Sequence, residues 1–505
     1  VSGSGGGGGG GGNATFSIPN FGGSQVATAV LTYEPASTTG AATTSTLTAA
    51  RASASGRKLA GRVTLEDLGL QRPHRDLPES FVRATRERIE SLVAGRSGAS
   101  LRGEAPPRAK YTDAEIGVNG TATFKVTTSG STITARKMLT EAQTTHCYVF
   151  AELVGGNPVI STTQAQQIAA AFDTSNSFDP AGMSIYDRVT STFGFEWRFN
   201  PLGGRDGDTK VVLLILSSET INFPGESGLF GFFYQVDEFD AADFPESNEA
   251  EIIYMNADSF TGDMYDGLAT IAHEFQHMVN FNQKFIRDGA FPRNQEEDTI
   301  NEGLSVLAEA DCGFDLDSPG GGNGFLFQAV RSYLQSPGDF PFFEFTNRGG
   351  DYGKGYMLMQ YIQDRFGVAT ITTLATSSSV GRDNLASATG VAFNSLFRDW
   401  ALTNLIDPLS GAPFIYTYSS FNTNQTGLSI RGLAGAQSLP GVQPQRSMNP
   451  PNGTASLSLS PYEAGYVEYS GGDGSTLEIT VSQGGSGTAN LIHQSPDEST
   501  FSSLQ

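Results

Sequence analysis

Residues 269–281 read ATIAHEFQHMVNF, and the spacing inside this stretch decides how the rest of the chain is read. His273 and His277 stand four apart. On an α-helix such residues lie one turn apart on the same face, so both imidazoles can reach a single ion. Ile271, Ala272, Phe275, Met278 and Val279 fill the neighbouring positions and predict an apolar helix set into a core. Two imidazoles and a carboxylate are costly to bury there unless something satisfies them. Neutral imidazole is a good zinc ligand, and catalytic zinc typically takes three protein ligands and keeps one position open. Glu274 follows the first histidine and can lean over that position. A carboxylate there takes a proton from water attacking a carbonyl and passes it to the leaving amine. The chain holds five histidines, the others being His74, His146 and His493, so chance is a poor account of this spacing.

The third ligand lies further along. A metzincin would carry Gly and His where this chain has Asn280 and Gln283, which excludes that pattern. Residues 299–305, TINEGLS, begin a second helical pattern, and Glu302 stands 25 residues after His277. A glutamate on an adjacent helix completes a His, His, Glu donor set. The ordinary alternative is a first-turn Glu stabilised by the helix dipole. Partners that orient metal-bound imidazoles are also to be sought. Asn301 is the first candidate, followed by Ser305 and Glu309, the last two turns beyond Glu302 on the same face.

HEFQH followed by NEGLS resembles the gluzincin metallopeptidases, in particular the hyicolysin family of bacterial secreted proteases. The likeness runs over roughly residues 145–405 and takes in HCYVF, DGDTKVVLLIL, SNEAEIIYMNAD and YGKGYMLMQYIQDRFG. What it implies is a zinc-dependent endopeptidase acting on broad protein substrates. Residues 351–355, DYGKG, are similar to the tyrosine motif of aminopeptidase-N-like gluzincins. There the phenol of Tyr352 would stabilise the oxyanion formed as water attacks, which suits a donor aimed at developing negative charge. Gly353 departs from the acidic residue usual in that family, and its exopeptidase GxMEN motif is not evident. A core tyrosine is the competing reading of Tyr352.

The fold class expected is α+β. A zincin catalytic domain, a twisted sheet with the active-site helix and a helical lobe, is flanked by N- and C-terminal β domains. At 505 residues the chain is long enough for two or three domains. Residues 1–22, with an unbroken glycine run at 5–12, read as a flexible tether. Residues 23–143 read as a β region interrupted by a basic helical and linker segment at about 51–110, which holds 13 of the 31 Lys and Arg. Residues 144–410 are the catalytic domain, with VVLLIL at 211–216 as a buried central strand and helices near 163–172, 266–285, 299–310, 324–335, 352–366 and 392–405. Residues 411–505 return to strand-like, Gly/Pro-rich sequence and read as a β-sandwich. EIIYMNA at 251–257 is either an internal strand or a sheet edge to which a substrate strand adds.

A net charge of −22 argues against nucleic acid and anionic membranes as partners. Protein or peptide substrates and a monomer are expected instead. No run of 18 apolar residues predicts a transmembrane segment. Secretion, with the glycine run tethering the chain to a cell surface, follows from the kind of protein the motifs imply. Cys147 and Cys312 are compatible with one disulfide or with two free buried thiols. Acidic clusters at 237–240 and 311–317 could hold calcium, but neither has EF-hand spacing, and solvated acidic loops account for them. Two other functions compete with the endopeptidase: a surface-attached β-domain adhesion protein with a vestigial or structural zinc site, and a zinc exopeptidase. The basic segment at 51–110 offers processing sites, so the region before 140 is also a candidate removable propeptide or inhibitor.

Overall fold

The structure, a computed structural model, describes residues 13–35, 42–50, 77–94, 109–196, 204–286, 294–449, 451, 453–483, 487–495 and 500–504. It is α+β and divides into two compact units, one of residues 70–325 and 368–388, the other of 1–69, 326–367 and 389–505.

The first unit is built on a seven-stranded sheet. Its strands follow the order β1 (Thr121–Val126), β2 (Ser131–Lys137), β3 (Cys147–Val154), β4 (Val211–Leu216), β6 (Ile252–Asn256) and β5 (Gly231–Phe233), while the short Asn157–Pro158 pairs with β3. β3, β4 and β6 are parallel; β2 and β5 pair antiparallel with β3 and β6, and β1 pairs antiparallel with β2. β4 is buried at every position, as a continuous apolar run demands of a strand covered on both faces. β6 lies between β4 and β5, so EIIYMNA is an internal strand, and β5 is last in the order among the described residues.

Five helices of this unit concern the site. α1 is Glu79–Ala94, a helix within the basic segment. α2 (Thr162–Asp173) starts at Ser161, whose hydroxyl accepts the Gln164 N–H while the Gln164 side chain caps the Ser161 N–H in return. α3 is Ile185–Phe193. α4 (Tyr265–Phe281) carries the two histidines and continues as a π-helical turn over Asn282–Ile286, which accounts for the single helix expected to residue 285. α5 (Asp298–Asp311) carries Glu302. α4 packs on β5 and β6 by one face and on α3 and α5 by others, with Phe275 set among Phe172 and Tyr186. Burial on all sides is why its sequence is apolar almost all round. Cys147 and Cys312 are both free and buried.

In the second unit, strands from the two ends of the chain share sheets. Asn13–Ile18 and Thr43–Ala50 join Gly453–Leu459 and Leu477–Gln483 in a four-stranded sheet. Val26–Tyr33 lies between Ala464–Tyr469 and Gly487–Ser495 in a five-stranded one. Phe21, Leu31, Leu47, Val467 and Ile479 meet in the core they enclose. The strands before residue 51 thus share sheets with the C-terminal region, whereas β1 and β2, also assigned to the N-terminal β region, belong to the sheet of the first unit. The strand Asn13–Ile18 begins inside the stretch assigned to the tether, whose residues 1–12 lie outside the described residues. The helices Gly324–Gln335, Gly349–Phe366 and Phe393–Ile406 match the helical patterns read from sequence.

Candidate functional site

The i, i+4 spacing on α4 sets the rings of His273 and His277 with their Nε2 atoms 3.1 Å apart. α5 packs alongside, and Glu302, in its second turn, brings Oε2 to 3.4 Å from each of those nitrogens. His273 is wholly buried and the other two side chains nearly so. Ligands at about 2.0–2.1 Å in a tetrahedral shell lie roughly 3.3 Å from one another, so the three atoms already stand at the separations zinc requires. Glu302 Oε2 is buried and has no hydrogen-bond donor, as an atom facing a metal should be. The charges agree. Burial works to raise the Glu302 carboxyl, but His277 and His273 outweigh it and hold it down to about 2. Burial works to lower His277, and Glu302 outweighs that and raises it. The three residues therefore meet as a group suited to one ion, and the donor set fits zinc.

Each imidazole is fixed from behind. His273 Nδ1 lies 2.8 Å from Glu309 Oε1, both side chains wholly buried, and Glu309 Oε2 accepts from Asn323 Nδ2 at 3.0 Å. His277 Nδ1 lies 3.1 Å from the Ser305 hydroxyl, which donates to Gln276 Oε1 at 2.5 Å. With the serine proton given to Gln276, its oxygen accepts from His277 Nδ1–H. Both rings then present Nε2 lone pairs toward Glu302, the tautomer a metal needs. Glu309 and Ser305, not Asn301, make these contacts; Asn301 Oδ1 has no hydrogen-bond partner.

Glu274 is buried between helix and sheet, and its Oε2 accepts the backbone N–H of Phe233 on β5 at 2.9 Å. Sequence gave no sign of this contact, because nothing in either segment announces that β5 lies over α4. One cavity is lined by Glu274, His277 and Glu302, by Phe233 and Phe281, and by Phe81 and Arg86 of α1. α1 is anchored beside it. Arg86 pairs with Asp298 at 2.7 Å, Arg88 with Glu246 at 2.6 Å, Phe81 meets Phe223 edge-on, and Ile89 is fully buried. The helical pattern read in the basic segment is this helix, and residues 81, 85 and 89, recurring at helical spacing, lie on its docked side.

Tyr352 belongs to the second unit, on helix Gly349–Phe366. It is buried, its hydroxyl donates to Asn347 Oδ1 at 2.8 Å, and its ring meets Phe345 edge-on. The departure at Gly353 has a steric cause: a Cβ there would lie 2.1 Å from the carbonyl oxygen of Ala329, so no side chain is tolerated.

An α+β fold with a His, His, Glu donor set and an adjacent carboxylate fits the class of metal-dependent proteases. The chain is similar to the neutral metalloprotease ShpI of Staphylococcus hyicus, at 27% identity over 251 residues. The match takes in 48% of this chain and 46% of that protein, so the chain spans about half the length of the curated relative it matches. No family model matches the chain. The likeness to ShpI supports a metal-dependent protease at family level. Among the described residues no helix is long and apolar enough to cross a membrane.

Proposed function

We propose that the chain is a secreted, zinc-dependent endopeptidase of the hyicolysin-like gluzincin type, hydrolysing internal peptide bonds of proteins. The observation that carries this is the set of donor atoms on His273, His277 and Glu302, held 3.1–3.4 Å apart with Glu274 beside them. Zinc, when bound, supplies a Lewis acid that polarises the scissile carbonyl and acidifies water. Glu309 and Ser305 keep the imidazoles in the ligating tautomer. Glu274 receives a proton on its carboxylate and delivers it to the departing amine, while the Phe233 N–H fixes the carboxylate's direction through Oε2. The phenol of Tyr352 is assigned to the oxyanion on the resemblance alone. Its removal in Tyr352→Phe should lower turnover by at least about tenfold, roughly 1.4 kcal/mol.

The experiment is cleavage of end-blocked, internally quenched peptides by wild type and by Glu274→Gln, with zinc content measured on both. Glutamine keeps an oxygen for the Phe233 N–H but cannot take the proton. A loss of about 100-fold or more in kcat with zinc retained is the expected result. Equal cleavage by both proteins would remove Glu274 from the chemistry. Cleavage only from free termini would favour the exopeptidase. Silence of both, even after α1 is displaced, would favour a binding protein with a vestigial site.

A further inference from the structure

His277 and Glu302 sit on consecutive helices, so their meeting depends on how the end of α4 is held against the start of α5. Two charged residues come together there. Lys284 lies in the π-helical turn that continues α4, seven residues after His277, and Glu296 stands six residues before Glu302. Lys284 Nζ lies 3.3 Å from Glu296 Oε2, and the two side chains are 1% and 0% exposed.

Both ends of the pair are fixed to one further part of the same unit, the helices Val368–Thr376 and Gly381–Thr389 and the turn that joins them. Lys284 Nζ donates to the carbonyls of Leu374 at 2.6 Å and Ser379 at 2.9 Å. Glu296 Oε1 accepts the Gly381 N–H at 2.6 Å and the Glu297 N–H at 3.0 Å, while Oε2 accepts from Asn384 Nδ2 at 2.9 Å. Asn384, fully buried, also donates to the Leu374 carbonyl at 3.0 Å and so closes the ring of contacts.

Net stability is a poor reason to keep such a pair. Taking an ammonium and a carboxylate out of water is costly, and uncharged residues of similar volume often serve stability as well or better. A buried charged pair does impose direction, because its donors and acceptors all need partners at hydrogen-bond distance. We propose that Lys284 and Glu296 are positioning residues for the metal site, an inference that rests on His273, His277 and Glu302 being its zinc donors. The pair fixes the start of α5 against the end of α4 and thereby brings Glu302 to the histidines. Glu296 immediately precedes the cap of α5, and Glu302 rides in the second turn of that helix. Glu302 Oε2 stands 3.4 Å from both Nε2 atoms. Metal–ligand distances tolerate only about 0.2 Å of error, so a small shift of α5 is enough to spoil the set.

The test uses the full chain as wild type, as Lys284→Met and as the double variant Lys284→Met/Glu296→Gln. Zinc Kd is measured by competition with a chromophoric chelator, and melting of the zinc-free protein by calorimetry. Lys284→Met strands a buried carboxylate, so Tm should fall by roughly 10 °C and zinc binding should weaken with it. The double variant leaves no buried charge unpaired. It should melt within about 5 °C of wild type yet bind zinc about 10–100-fold more weakly, a split that a purely structural pair does not produce. Should the double variant fail to fold, Glu296→Gln, which keeps an oxygen for the Gly381 N–H, takes its place, with a loss of at least about tenfold expected. A zinc Kd within about threefold of wild type overturns the proposal, as does affinity lost only in proportion to a fall in Tm. The readouts are binding and melting, so the result does not depend on cleavage; wild type that takes up no zinc overturns the donor set itself.

Discussion

Glu309→Gln isolates the contact behind His273. The carboxylate is wholly buried and divides its two oxygens between His273 Nδ1 at 2.8 Å and Asn323 Nδ2 at 3.0 Å. Glutamine has the same shape but only one oxygen. If that oxygen faces His273, the new NH2 group confronts the Asn323 amide. Asn323 can turn to accept only by giving up its bond to the Phe314 carbonyl at 3.2 Å. If the oxygen faces Asn323, the histidine loses its acceptor and the ligating tautomer loses its support. In both cases the negative charge that strengthens Nε2 as a donor is gone. Partners of this kind are worth about 10–100-fold in metal affinity, or roughly 1.4–2.7 kcal/mol. The zinc-free protein pays much less, since an uncharged amide is cheaper to bury than a carboxylate. The variant should therefore melt near wild type without zinc, while the zinc-induced rise in Tm shrinks by roughly 3–10 °C. Zinc affinity is measured by competition with a chromophoric chelator, and melting by calorimetry with and without zinc. A Kd within about threefold of wild type, at unchanged fold, refutes the claim that Glu309 positions the ligand.

Ser305→Ala should weaken zinc binding less than Glu309→Gln does, by under about tenfold, because a neutral hydroxyl gives way to no buried charge; the same competition assay decides the order. Arg86→Ala should raise kcat/KM on a quenched peptide by up to about 5-fold, since the part-exposed pair with Asp298 holds α1 against the cavity with at most about 1 kcal/mol. A fall in activity would mean that α1 builds the substrate site and does not obstruct it. Stability should decline as pH rises from about 4.5 to 8. Burial, reinforced by Asp206 and Glu196, raises the folded-state Glu251 carboxyl to about 8 from an ordinary 4.5, so its contribution is complete below the lower value and lost through the upper. Urea melts at pH 5, 6.5 and 8 on wild type and Glu251→Gln check this, and the variant should show the shallower slope.

The cluster of His273, His277 and Glu302, proposed here as the zinc donors, was legible because the information is local. His273 and His277 share a face by spacing alone, and Glu302 needs only that the next helix pack beside α4. The all-buried strand β4 was equally plain, since six apolar residues between polar turns leave little choice. What lay beyond sequence was mostly contact between distant segments. Alternation marks Asn13–Ile18 as a strand but cannot say that its partner is Leu477–Gln483, because period-2 patterning fixes a face and not a neighbour. Nor could it say that the Phe233 N–H meets Glu274, or that Glu309 outranks Asn301 behind the histidines. The acidic run at 237–240 misled for the same reason. A charged run reads as solvated until the structure shows its second residue, Glu238, turned into a closed interior.

The N-terminal region illustrates how far such contacts constrain function. Its basic segment suggested a propeptide, and α1 does line the cavity that holds Glu274 and His277. Yet Val26–Tyr33 is hydrogen-bonded on both sides, to Ala464–Tyr469 and to Gly487–Ser495, and Ala27, Ala29, Val30 and Leu31 are completely buried. Cleavage after Arg96, Arg102 or Arg108 would cut the chain without breaking either ladder. Processing that clears the cavity is therefore expected to displace α1 while leaving the fragment that carries residues 26–33 in its sheet. The fragment should co-elute with the remainder in native gel filtration and separate only in denaturant, as intact mass and N-terminal sequencing of each peak will show. An active species that has lost residues 26–33 and melts like the uncut chain would mean that this strand is dispensable, and that the whole N-terminal region is a removable prosegment.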